Sequence, residues 1–167
     1  MELSSTNLLV FNERLSRLVY AKFEGDIRAQ NGESLFVAFM LGKAFKTHEA
    51  IILLCRHGYA EDAFMLARTL FELMVTTSYI LRDTTEKTLT RYLEHDWITR
   101  KEMYDYIKTD DKLLEALNKQ IESGERDWGT IEEIEVEYKR VVDEYGFTRY
   151  DSWSGKNIAG MAQLIGR

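Results

Sequence analysis

Nineteen consecutive residues, 63–81 (AFMLARTLFELMVTTSYIL), hold only two charges, Arg68 and Glu72. Apolar periodicity here is helical, and a segment this apolar is expected to be buried. Four residues apart on a helix, the two charges share one face. Buried charges are costly unless paired, so this pair serves either fold specificity or a site. The residues alone leave both open.

Proline is absent from all 167 positions, where average usage of about 5% would give roughly eight. Proline breaks helix interiors, so its absence fits long uninterrupted helices. The length is most simply one domain, spanning 1–167. A single cysteine, Cys55, lies in an apolar stretch and is expected to act as a small core residue. One Cys and three His lack the ligand spacing of a zinc cluster. The start, MELSSTNLLVF, carries no basic n-region of a secretory signal. Lys43, Lys46, His48 and Glu49 break one oily run, and Arg68 and Glu72 break the other. Neither makes a good membrane span, so the expectation is a soluble, cytoplasmic protein without a membrane partner.

The net charge of −6 is uneven. Residues 1–82 hold nine acidic and nine basic side chains, and residues 83–167 hold nineteen and thirteen. The densest acidic stretch contains Glu132, Glu133, Glu135 and Glu137. A basic footprint for duplex DNA is missing, though Arg14, Arg17 and Lys22 could form a local basic face.

The pattern predicts an all-α antiparallel bundle of six or seven helices. Leu8, Phe11, Leu15, Leu18 and Val19 recur at helical steps in the first. The second runs over about 33–57, ended by Gly58 as a C-cap, and the third over about 60–81. A fourth extends from about 85 to 109, followed by helices over 112–122, 131–145 and 157–165. The last holds only about nine residues, short for a core helix, which fits either a truncated chain that stops short of a final packing element or a partner supplying the missing surface.

Short turns place helices two to four up and down, and a rise of about 1.5 Å per residue then sets heights. Glu49 and Arg68 stand equally far from the turn at 58–59. Glu72 and His95 stand equally far from the turn at 83–84. His48, Glu49, Arg68, Glu72, Arg91, Glu94 and His95 can therefore converge between three helices. One reading is a structural network in which Arg68 bridges Glu49 and Glu72 and fixes register. The protein would then be a non-catalytic, self-associating interaction module, a homodimer. The other is a pocket that processes a nucleotide or RNA. There Arg68 and Arg91 hold phosphate, Glu49 and Glu72 position water or a divalent cation, and His95 is the base. Ser154-Gly155-Lys156-Asn157 could cap a helix or hold phosphate. Tyr145, Phe147, Tyr150 and Trp153 could stack on bases or pack the last helix.

Gly58, Ala63, Arg68-Thr69-Leu70-Phe71-Glu72 and Trp153-Ser154-Gly155-Lys156 together resemble an uncharacterised bacterial all-helical domain family. The resemblance is clearest over about 58–97 and 150–160. That family carries no settled activity, so the resemblance implies a fold more than a reaction. The chain is also similar to the HEPN group of helical nucleic-acid-processing proteins. That group carries Arg, four to six residues, then His. Here Arg91 and His95 have only three residues between them.

Overall fold

The computed structural model describes residues 5–23, 30–85, 87–124, 129–147 and 152–166. Among these residues the chain is all-α, with eight helical segments and no strand. They cluster into two compact units. Unit 1 comprises residues 1–84 and 158–167, and unit 2 comprises 85–157.

Unit 1 contains α1 (Ser5–Phe23), α2 (Gly32–Arg56), α3 (Ala60–Ile80) and α8 (Ile158–Ile165). Asn31 opens α2 with a capping box: its Oδ1 accepts from Ser34 N at 2.8 Å, and Ser34 Oγ accepts from Asn31 N at 3.0 Å. Gly58 ends α2 as expected, taking φ +80°, a conformation that suits glycine. Tyr59 N then reaches back to Leu54 O at 2.9 Å, and α3 starts one residue later. α3 packs on α2 and on α8, and α1 packs on α2. Phe36, Met40 and Ile52 of α2, Ala63, Val75 and Ile80 of α3, and Met161 of α8 are buried.

α1 meets α2 through a polar seam. Ser16 of α1 is buried and donates to Glu49 at 3.5 Å. His48 Nε2 lies 3.3 Å from Asn12 Oδ1, and the Arg56 guanidinium contacts Glu13 Oε1 at 2.5 Å. Cys55 near the end of α2 is exposed, not the small core residue its apolar neighbours suggest.

Unit 2 contains α4 (Lys87–Glu94), α5 (Asp96–Ile107), α6 (Asp111–Glu122) and α7 (Ile131–Tyr145). The single helix expected over 85–109 is two segments meeting at His95. The interruption is mild. His95 keeps right-handed helical angles and its N–H reaches Arg91 O at 3.2 Å, while Ile98 N bonds His95 O in a tightened turn. Thr130 and Glu133 form a reciprocal capping box at the start of α7. Gly146 closes α7 at φ +66° with its N–H on Val142 O at 2.8 Å. α5 packs on α7. Ile98, Val141 and Phe147 form a buried cluster, with Trp97, Tyr138, Val142 and Tyr145 packed around it.

Candidate functional site

α3 turns Ala63, Leu66, Leu70, Leu73, Thr77 and Ile80 inward, at the three- and four-residue steps of one helix face. Arg68 lies on the other side. It pairs with Glu72 at 2.9 Å, but the two side chains are 70% and 39% exposed. The expectation that this pair is buried is therefore wrong. The oily run has more apolar surface than α2 and α8 cover, and the pair sits on the remainder. Phe64, Met65, Phe71 and Met74 stand there too, at 73%, 62%, 55% and 61% exposure.

Glu49 is turned toward α1 and bonds Ser16, so Arg68 does not bridge it to Glu72. Turn positions and rise set height along a helix, but not azimuth around it. A cleft of about 620 Å³ lies along the α1–α2 seam, lined by Glu13, Ser16, Arg17, Glu49 and Arg56 among others. Among the described residues, no group of three His, Cys, Asp or Glu side chains is placed to hold a metal ion.

Arg91, Glu94 and His95 belong to unit 2, on and just after α4. Glu94 is engaged by residues far along the chain. Arg140 donates to Glu94 Oε1 at 2.8 Å, and the Tyr145 hydroxyl donates to Glu94 Oε2 at 2.5 Å. Arg140 also binds Glu137 at 2.8 Å and Glu144 at 2.9 Å. The hydrogen bond to Glu94, with partial burial, pushes the Tyr145 phenol well above its ordinary value. Glu137 and Glu94 likewise raise the Arg140 guanidinium.

Arg91 is held differently. Its guanidinium carbon stands 4.9 Å from the Phe147 ring centroid and 5.8 Å from that of Tyr145. Its Nε is buried and has no hydrogen-bond partner. The neighbouring carboxylate, Glu94, is occupied by Arg140 and Tyr145. His95 meets the same Phe147 ring edge-on, with centroids 5.2 Å apart.

His95 also lines a cleft of about 360 Å³ with Tyr92, Leu93, Asp96, Thr99 and Trp153. Tyr92 and Trp153 meet edge to face at 5.0 Å in that cleft. Burial, then the Asp96 charge, raises the Tyr92 phenol. Tyr150 lies outside the described residues. The loop before α8 is closed on itself: Ser154 Oγ accepts from Lys156 N at 3.1 Å and donates to Lys156 O at 3.0 Å.

Of the expected residues, the structure therefore brings Arg68 to Glu72 in unit 1, and Arg91 and His95 to Phe147 in unit 2. Arg140 and Tyr145 were missed as partners of Glu94. They lie 46 and 51 residues beyond it, and no local spacing signals such a contact.

Fold and site together describe an all-helical protein with an aromatic-backed arginine on α4 and a histidine just after it. The chain belongs to the DUF5677 family, described as a family of unknown function, whose model matches residues 35–167. The match takes in most of unit 1 and all of unit 2, and begins after α1. Neither the curated proteins nor the solved structures give a significant match. Among the described residues, no helix is long and apolar enough to cross a membrane.

Proposed function

We propose that the protein binds a phosphate-bearing ligand, a nucleotide or a short RNA, in unit 2. Arg91 holds the phosphate, and His95 is the proton-transfer group of a processing step. The observation that carries this reading is the Arg91 side chain. A buried nitrogen without a partner is rare in native structures and calls for an explanation, and a bound anion is one. The Phe147 ring lies 4.9 Å under the guanidinium carbon and helps to hold that group, whose fork matches phosphate oxygens. His95 lies one turn further on and lines a cleft with two aromatic rings on which a base can stack.

Charge narrows the ligand. Unit 2 holds eighteen acidic and twelve basic residues, so its field opposes a long polyanion. A mononucleotide or a short single strand fits better than duplex DNA. A thermal-shift panel of inorganic phosphate, nucleotides and short RNA tests this in wild type, Arg91→Ala and His95→Ala. At about 100 times its dissociation constant, a ligand stabilises the fold by about 2.7 kcal/mol. Wild type should shift, Arg91→Ala should not, and His95→Ala should bind but fail to turn the ligand over. An undiminished shift in Arg91→Ala, or no shift with any probe, overturns the reading.

A further inference from the structure

We infer that the outward face of α3 is a self-complementary interface. On it two copies of the chain pair antiparallel, and Arg68 and Glu72 exchange partners across the two-fold axis.

Phe64, Arg68 and Phe71 fall within one narrow sector of α3, flanked by Glu72 and Met65 on one side and Met74 on the other; Val75, further along the same sector, is buried, so the open face ends before it. The other four apolar side chains are more than half exposed. At aromatic-sized surface areas they offer on the order of 500 Å² per copy. Covered completely in both copies, they would remove at most about 1,000 Å² from water, the level that a specific interface must clear.

Charge selects a second copy as the occupant. The face carries one cation and one anion four residues apart, and unit 1 as a whole holds ten acidic and ten basic residues. A neutral face repels neither itself nor its copy at long range. In a two-fold arrangement each contact occurs twice, with residue i on j and j on i. Two antiparallel α3 helices centred on Leu70 place Arg68 opposite Glu72 of the second copy, and Glu72 opposite its Arg68. The same register brings Phe71 close to Phe71 of the second copy. Each guanidinium then bridges its own Glu72 and that of the second copy, in a site drier than the present surface. An acidic or basic partner would satisfy only one member of the pair.

The decisive experiment is complementation between charge variants, read by sedimentation velocity across a range of concentrations. Arg68→Glu places two acidic residues on the face, and Glu72→Arg places two basic ones. Each variant alone should associate at least about tenfold more weakly than wild type. An equimolar mixture should recover a heterodimer, because each face then meets its opposite. Phe71→Ser, in an otherwise unchanged face, should also weaken association. Circular dichroism should show every variant as helical as wild type, since the altered side chains are exposed. A wild type that stays monomeric at high concentration overturns the inference. So does a dimer indifferent to both charge variants, or a mixture that fails to associate. Those outcomes assign the face to another part of this chain or to a different protein.

Discussion

Unit 1 is electrically neutral and leaves Phe64, Met65, Phe71 and Met74 of α3 uncovered, whereas unit 2 carries the whole charge of −6. Each unit contains an Arg–Glu pair of similar length. Arg68–Glu72 spans one helical turn at 2.9 Å and is open to water. Arg140–Glu94 joins α7 to α4 at 2.8 Å, with Glu94 only 22% exposed and a tyrosine hydroxyl on its other oxygen. The difference teaches that spacing along a helix identifies a pair without giving its energetic weight. That weight comes from desolvation and from how many other groups the pair organises.

The largest expected effect tests the packing side of this comparison. Ile98→Ala, in the buried cluster of unit 2, should cost about 2–5 kcal/mol in urea unfolding. Phe64→Ala, on the open face of α3, should stay within about 0.5 kcal/mol when unfolding is followed at protein concentrations low enough to keep the chain monomeric. Equal costs would mean that the α3 face is covered.

Next comes Glu94→Gln, which removes the shared acceptor of Arg140 and Tyr145. A loss of about 1.5–3 kcal/mol is expected for hydrogen bonds to a charged group. A loss below about 0.5 kcal/mol would reduce this network to surface decoration.

The Tyr145 hydrogen bond should show itself through pH. Its phenol is raised in the folded protein, so the stabilisation is fully present below the ordinary tyrosine value of about 10. It is lost as pH rises through the higher folded value. Tyr145→Phe should therefore be less stable than wild type by about 1 kcal/mol at neutral pH. The gap should narrow in strong alkali. A gap that stays constant across urea titrations from about pH 8 to pH 11.5 would sink the assignment of this bond to the phenolic proton.

The smallest effect is also the sharpest. Were Arg68 and Glu72 buried, Arg68→Ala would strand a carboxylate at a cost of about 3–5 kcal/mol. At the exposure observed, the cost in the monomer should be about 0.5 kcal/mol or less. Unfolding measured at low protein concentration separates the two.

Much of the fold was legible locally. Gly58 and Gly146 mark helix ends because they adopt backbone angles that disfavour a side chain. The absence of proline and the three- and four-residue apolar steps foretold an all-α chain. The break at His95 was not legible, because its backbone stays helical and nothing in its neighbours forbids continuation. The candidate site was read less well. Arg68 and Glu72 pair as spacing predicts, since a one-turn contact needs only the helix. Their burial depended on which side of α3 its neighbours cover.

By itself, then, the sequence determined the helices, most of their ends, the Arg68–Glu72 contact and the gathering of negative charge in the second half. Hydrogen bonding, capping and charge act over one or two turns, so a linear reading reaches them. Tertiary structure alone decided that α3 keeps an apolar face open and that Glu49 turns to α1. It also decided that Glu94 belongs to Arg140 and Tyr145, leaving a buried nitrogen of Arg91 without a partner. These outcomes rest on the azimuth of each helix and on contacts some fifty residues apart, which are set by packing many side chains at once.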